Sequence, residues 1–171
     1  MKTVKNRFLF NLYYFLFWIV YFVFARAFFL LYYFDKTQEL DLSIMFKTFL
    51  YGLRLDASFA AYLSTIPFLL IIFSVFINPK WITKIIKWYT FILIVFISLL
   101  LLIDAGLYEA WGIRLDTSLL PYLNTPELMI SSTSTFQLVS GIFSWILISF
   151  LFIKIFSKIH QKNNKNLDFG S

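Results

Sequence analysis

Four long apolar stretches, separated by shorter polar segments, make up most of this chain. A membrane-spanning helix needs about 20 mostly apolar residues to cross roughly 30 Å of hydrocarbon. A segment exposed to lipid must satisfy its backbone hydrogen bonds internally, so helix is the expected conformation. The pattern therefore predicts an all-α, polytopic membrane protein with four transmembrane helices, at about residues 8–34, 57–77, 88–107 and 136–156.

The composition excludes several classes of protein. The chain has 171 residues, of which 60% are hydrophobic, and its mean hydropathy is +0.78. A soluble domain of this size cannot bury so much apolar side chain. There is no Cys and only one His, His160, so disulfides, a thiolate nucleophile and a multi-His metal site are all excluded. We predict no metal site and no cofactor in this chain.

The basic residues are concentrated in three of the polar segments. The net charge is +6, and ten of the 15 basic residues lie at the N-terminus, after the second span or in the C-terminal tail. These ten are Lys2, Lys5, Arg7, Lys80, Lys84, Lys87, Lys154, Lys158, Lys162 and Lys165. Because Lys and Arg favour cytoplasmic segments, both termini are predicted to be cytoplasmic and both longer loops external. This distribution follows membrane topology rather than forming a nucleic-acid groove.

Each external loop contains segments whose spacing predicts local helix. The apolar spacing of residues 42–51 is typical of a short helix lying on the membrane surface, and residues 118–123 predict another. Thr125 followed by Pro126 is a favourable helix start, with Thr at the N-cap. The hydroxyl-rich run 131–135 is interpreted as capping the fourth span rather than as a nucleophile.

One polar pattern occurs twice, once in each predicted external loop. Residues 52–58 read Gly-Leu-Arg-Leu-Asp-Ala-Ser, and residues 112–118 read Gly-Ile-Arg-Leu-Asp-Thr-Ser, with five of the seven positions identical. On an extended segment, an Arg and an Asp two positions apart share a face, whereas on a helix they do not. One copy directly precedes a span and the other directly follows one. The copies therefore share a side of the membrane rather than indicate a solenoid repeat.

Two further ionisable residues, Arg26 and Asp104, lie within predicted spans and close to their external ends. Charges inside a membrane are costly and usually face protein or a polar cavity. The candidate site residues are therefore all placed near the outer leaflet; they are Arg26, Arg54, Asp56, Asp104, Glu109, Arg114 and Asp116. In one interpretation these residues brace the loops through Arg–carboxylate bonds, with Arg26 and Asp104 as one candidate pair. In the other, the arginines bind a phosphate or another anionic lipid headgroup. The two roles are compatible.

The polar stretches carry a resemblance to a known family. Residues 52–63 resemble the segment that leads into the second span of the lipoteichoic acid synthase family, which are membrane-anchored, sulfatase-like proteins. Residues 104–116, followed by Tyr122-Leu123-Asn124-Thr125-Pro126-Glu127, are similar to the loop after the third span of that family. The resemblance implies five spans followed by a large external domain of the alkaline phosphatase superfamily, which uses a Thr nucleophile and a divalent metal.

Under this resemblance the catalytic domain is absent from the 171 residues, and no catalytic residue is assigned. The expected function is the membrane anchor of a cell-envelope phosphoglycerol, phospho- or sulfotransferase-like enzyme in a bacterial cytoplasmic membrane. Its expected partners are membrane lipids, including anionic phospholipid, and the missing C-terminal catalytic domain, but no nucleic acid. The alternative is a stand-alone small integral membrane protein that acts as an assembly partner or carrier.

Overall fold

The computed structural model describes residues 2–74, 79–112 and 134–164. Within these ranges the chain is helical almost throughout, and no strand is present. Five helices follow one another along the described chain. They are α1 (Lys2–Tyr32), α2 (Phe34–Thr37), α3 (Leu42–Phe73), α4 (Pro79–Trp111) and α5 (Thr135–Asn164).

The predicted all-α fold with four membrane-spanning helices is confirmed. Four helices in the described part of the chain are long and apolar enough to cross a bilayer. The corresponding segments are Asn6–Tyr32, Leu42–Phe73, Lys80–Glu109 and Thr135–Lys162. The protein is therefore a multi-pass membrane protein.

The loop between the first two spans is shorter than the sequence predicts. Residues 42–51 are helical, as expected, but they continue without a break into the second span, so that α3 has 32 residues. Only residues 33–41, which include the four-residue helix α2, separate α1 from α3. The first copy of the repeated motif therefore lies inside a helix rather than on an extended segment. The helix start predicted at Thr125 and the short helix predicted at 118–123 lie outside the described residues.

The chain divides into two compact units, residues 1–90 with 154–171 and residues 91–153. The core of the first unit is a row of aromatic side chains along one face of α1. These side chains recur at helical spacing and are at most 3% exposed; they are Phe10, Tyr14, Phe17, Trp18 and Tyr21. Phe156 of α5 packs against this row, with ring centroids 5.9 Å from Tyr14 and 5.4 Å from Phe17.

Helices α1 and α3 run antiparallel in the first unit. Arg26, near the end of α1, contacts Asp56 in the first half of α3. Nearer the middle of α1, Phe22 packs against Phe59, with ring centroids 6.0 Å apart. The earlier residue of α1 thus contacts the later residue of α3, as expected for antiparallel helices. This arrangement places the end of α1 beside the first copy of the motif.

A proline inside α3 leaves one backbone carbonyl without its helical hydrogen-bond donor, and a side chain of a neighbouring helix supplies one. Pro67 is buried and has no N–H to donate to the carbonyl of residue 63, four positions earlier. The hydroxyl of Tyr89 in α4 donates instead to the carbonyl oxygen of Leu63, over 3.2 Å. Backbone carbonyls inside a bilayer need such a partner because lipid offers none. Tyr89 therefore compensates for Pro67 and links α3 to α4.

In the second unit, polar side chains organise the start of α5. Ser134 and Gln137 form a capping box, since Ser134 N donates to Gln137 Oε1 over 2.9 Å and Gln137 N donates to Ser134 Oγ over 3.3 Å. Gln137 Nε2 also donates to Glu109 Oε1 of α4 over 2.7 Å. Further along, Trp145 Nε1 donates to the carbonyl oxygen of Val95 over 2.9 Å. In the described part of the hydroxyl-rich run, Ser134 has the capping role that was predicted.

We predict that Tyr89→Phe lowers the free energy of unfolding by about 1 kcal/mol, because it leaves the Leu63 carbonyl without its donor. The measurement is reversible unfolding in mixed detergent micelles. In a Pro67→Ala background, the restored N–H of residue 67 satisfies the carbonyl, so Tyr89→Phe should cost clearly less. An equal cost in both backgrounds would show that Tyr89 does not compensate for the proline.

Candidate functional site

The strongest polar interaction described near the predicted external end joins Arg26 to Asp56. Arg26 Nη1 donates to Asp56 Oδ2 and Arg26 Nη2 donates to Asp56 Oδ1, each over 2.9 Å. The two parallel bonds form a bidentate pair, which is the strongest geometry available to Arg and a carboxylate. The side chains are only 19% and 9% exposed. The carboxylate that Arg26 contacts is thus that of Asp56, in the first copy of the motif.

Gly52 provides the space in which the Arg26 guanidinium lies. A Cβ added at Gly52 would overlap Cζ and both Nη atoms of Arg26. Gly52 and Asp56 are four residues apart and lie on the same face of α3. Gly52 therefore leaves space for the guanidinium, and Asp56, one turn later, binds it. The Gly and the Asp of the first copy of the motif thus both contact Arg26, which lies outside the motif.

This pair acts as a brace between α1 and α3. Arg26 lies six residues before the end of α1, about 9 Å along the helix axis. Removing one partner of a buried ion pair typically costs about 3–5 kcal/mol, because the other charge remains buried without compensation. Arg26 and Asp56 therefore join α1 to α3 through an Arg–carboxylate ion pair.

Arg54, the arginine of the same motif, lies on another face of α3. It lies two residues from Asp56 on a helix, so it does not share the face that receives Arg26. Arg54 is exposed, as are Lys47 and Tyr51. Lys47, Tyr51 and Arg54 follow a spacing of four and then three residues and form one exposed stripe on α3. Within the first copy of the motif, Asp56 and Arg54 therefore lie on different faces of α3.

The second copy of the motif begins where a helix ends. Gly112 has a φ of +67°, a left-handed conformation that Gly adopts without strain. Its N–H donates to the carbonyl oxygen of Tyr108 over 3.0 Å and closes the C-terminus of α4. The Gly of the first copy, in contrast, lies inside α3. Arg114 and Asp116, both predicted site residues, lie outside the described residues.

The remaining predicted site residues belong to the second unit. Asp104 is in α4 and is 8% exposed. Glu109 is exposed and accepts the hydrogen bond from Gln137. Neither residue lies in the same unit as Arg26 and Asp56.

Sequence reasoning missed two residues that shape these contacts, Gly52 as the space for a guanidinium and Gln137 as the partner of Glu109. The spacing of Gly52 and Asp56, four residues apart in a helical register, is a signal that points to Gly52. Gln137 follows Ser134 by three residues, which is the spacing of a capping box. The cross-helix bond of Gln137 leaves no signal in the sequence.

The described residues offer anion recognition and structural ion pairing. Among them, no three His, Cys, Asp or Glu side chains are grouped so that they would hold a metal ion. Arg54 is exposed on a different face of α3 from the brace, and the planar fork of a guanidinium suits a phosphate or a carboxylate.

The fold defines the class of the protein as an α-helical, multi-pass membrane protein, with four candidate spans among the described residues. No protein-family model, no curated protein and no solved structure matches the chain.

We predict that Gly52→Ala lowers the free energy of unfolding by roughly 1.5–3 kcal/mol, because the added methyl group displaces Arg26 from Asp56. Reversible unfolding in mixed micelles measures the change. Gly106→Ala and Gly141→Ala are matched controls, since nothing lies within 4 Å of a Cβ at either position. The controls should be neutral or stabilised by up to about 1 kcal/mol through helix propensity. A Gly52 variant that behaves like the controls would contradict the assigned role of Gly52.

Proposed function

We propose that this chain is the membrane-anchoring domain of a cell-envelope phosphoglycerol, phospho- or sulfotransferase-like enzyme. In this proposal it lies in a bacterial cytoplasmic membrane, with both ends of the 171 residues on the cytoplasmic side. The catalytic chemistry, including its divalent metal, belongs to a further domain. The anchor presents an anionic lipid headgroup to that domain at the external end of α3.

The observation that carries the proposal is the exposed stripe of Lys47, Tyr51 and Arg54 on α3. The nearest carboxylate along the helix, that of Asp56, is already engaged by Arg26 through two hydrogen bonds. The acid therefore does not neutralise Arg54, and the stripe offers two positive charges about 10 Å apart along the helix axis.

The chemistry of the stripe suits a lipid headgroup at the membrane surface. Tyr is enriched at the membrane–water interface, where its ring lies in the apolar region and its hydroxyl in the polar one. An Arg guanidinium binds a phosphate through two parallel hydrogen bonds, and a Lys ammonium adds charge nearby. Each basic residue near an anionic surface adds about 1 kcal/mol of attraction. The stripe therefore favours an anionic phospholipid over a zwitterionic one.

We predict that Lys47→Gln/Arg54→Gln reduces binding of phosphatidylglycerol on the order of tenfold, since two positive charges are lost. Native mass spectrometry of the chain released from nanodiscs of known composition measures lipid occupancy. Arg54→Lys should recover only part of the binding, because Lys keeps the charge but lacks the planar fork.

Lys36→Gln is the matched control for charge alone. Lys36 is an exposed cation in α2 that lies over the ring of Tyr33, with Nζ 5.5 Å from the ring centroid, and it is not part of the stripe. Its removal should change occupancy much less than Arg54→Gln alone does, which removes the same single charge. Equal losses in the two variants, or unchanged occupancy in a folded Lys47→Gln/Arg54→Gln protein, would contradict headgroup binding by the stripe.

The anchoring role has a separate test, which is the coding sequence beyond residue 171. The proposal expects a fifth apolar span and a large domain that carries a Thr nucleophile and acidic or His metal ligands. A stop codon directly after residue 171 would contradict it and would favour a stand-alone assembly partner or carrier.

A further inference from the structure

The exposed stripe on α3 continues along the helix beyond Arg54. Three exposed residues follow Arg54 at steps of four, three and four positions, which keeps them on the same side of the helix; they are Ser58, Ala61 and Thr65. Their side chains are small, whereas those of the stripe are long or aromatic. This face of α3 is therefore charged toward its start and becomes a track of small side chains further along.

The track of small side chains leads into an open cavity between α3 and α1. The cavity has a volume of about 260 Å³. Its lining residues are Ala61, Ser64, Thr65 and Phe68 of α3 and Asn11 and Phe15 of α1. All of them belong to the first unit. Pockets that enclose a whole drug-sized ligand have about 300–1,000 Å³, so this cavity suits part of a larger ligand.

The hydroxyl groups of the α3 wall are satisfied within the helix. Ser64 Oγ donates to the carbonyl oxygen of Ala60 over 2.6 Å, and Thr65 Oγ1 donates to that of Ala61 over 2.9 Å. Neither hydroxyl therefore needs a ligand to accept its hydrogen. A wall of this kind tolerates an apolar ligand, because no donor on it is left unsatisfied.

The wall contributed by α1 joins an aromatic ring to an amide, those of Phe15 and Asn11. Because α1 and α3 are antiparallel, Asn11 lies farther from the level of Arg26 and Asp56 than Phe15 does. The amide of Asn11 therefore bounds the cavity at the end remote from the stripe, and the more apolar end is the one that the stripe approaches.

The spacing between the stripe and the cavity matches the depth of one lipid leaflet. Ala61 lies seven residues past Arg54 and Thr65 lies eleven, which is about 10 Å and about 16 Å along the helix axis. One leaflet contributes about 15 Å to the hydrocarbon core of a bilayer. With a lipid phosphate at Arg54, the cavity therefore lies at the depth of the acyl chains of the same lipid.

Close packing is what distinguishes such a cavity from the surrounding lipid. The hydrophobic effect supplies little difference there, because lipid tails are as apolar as the protein surface. Small side chains let an acyl chain approach the helix closely, and many weak carbon–carbon contacts then add up. A headgroup held by charge at one end of the track fixes where the chain lies.

We propose that the cavity between α1 and α3 holds an acyl chain of the anionic phospholipid whose headgroup the stripe binds. The chain runs from the stripe over Ser58 and Ala61 and ends in the cavity beside Phe15 and Phe68. The ligand is therefore a long-chain anionic phospholipid, which the protein selects by headgroup charge and by chain length. This inference rests on the proposed headgroup binding by the stripe, but not on the enzymatic role of the chain.

The test measures binding of two phosphatidylglycerols to the full 171-residue chain by native mass spectrometry. One lipid carries palmitoyl and oleoyl chains, and the other is dihexanoyl phosphatidylglycerol, whose chains are too short to reach the cavity. Ala61→Phe fills the cavity and should weaken binding of the long-chain lipid about fivefold, through the loss of carbon–carbon contacts, with no change for the dihexanoyl lipid. Ser140→Phe adds the same ring at an exposed position of α5, outside the cavity, and should change neither.

The headgroup and the chain are tested separately by this pair of lipids. Lys47→Gln/Arg54→Gln should weaken binding of both lipids by the same factor, because both carry the same headgroup. Without that loss, but with a selective effect of Ala61→Phe on the long-chain lipid, the headgroup role of the stripe would be wrong and chain binding by the cavity would stand.

Thr65→Phe fills the same cavity from one turn further along α3 and is the second variant if Ala61→Phe does not fold. Unchanged binding of the long-chain lipid in a folded cavity-filling variant, or equal losses of the two lipids, would overturn the acyl-chain site. The same spectra report the oligomeric state. Loss of a dimer in Ala61→Phe with unchanged lipid binding would assign the cavity to a second copy of the chain, and it would overturn the proposal as well.

Discussion

The architecture of the first unit depends on burying an arginine and an aspartate together in a protein whose solvent is largely lipid. Arg26 and Asp56 meet through two hydrogen bonds of 2.9 Å each, and neither side chain has much access to solvent. Two buried charges tolerate little displacement, since any gap leaves both without compensation. The pair therefore fixes the register of α1 against α3. Gly52 is part of the same constraint because it provides the space in which the guanidinium lies.

A similar physical requirement is met at two other places in the described helices. Pro67 leaves the Leu63 carbonyl without its helical donor, and Tyr89 supplies one from α4. The first amide groups of α5 are satisfied by Ser134 and Gln137. In each case a side chain replaces the hydrogen bond that water would make in a soluble protein. Hydrogen bonds and close packing, rather than the hydrophobic effect, hold helices together in a bilayer.

The separation of roles within one motif follows from helical geometry. In the segment Gly52-Leu53-Arg54-Leu55-Asp56, the first and last residues face α1 and the arginine faces away. A short polar pattern thus provides both a brace and an exposed cation. The brace holds α3 in place, and the exposed cation is what our proposal assigns to an anionic headgroup.

Hydrophobic patterning was sufficient to predict the four spans, because about 20 apolar residues in a row have few alternatives to a membrane helix. It did not predict that α3 begins at Leu42, since amphipathic spacing does not distinguish an interfacial helix from the first turns of a span. The sequence placed Arg26 near the external end and offered Asp104 as a candidate partner. Arg26 pairs with Asp56 because α1 packs against α3 and because Gly52 leaves space for the guanidinium. Both are properties of packing, which a single sequence does not display.

The most direct test of this account is a double-mutant cycle on the brace, with Arg26→Met, Asp56→Leu and the double variant, measured by reversible unfolding in mixed micelles. We expect each single substitution to cost about 3–5 kcal/mol, because it leaves one buried charge without its partner. The double variant should cost less than either single one. Additive effects, within about 0.5 kcal/mol, would show that the two residues do not depend on each other and would contradict the central role of the pair.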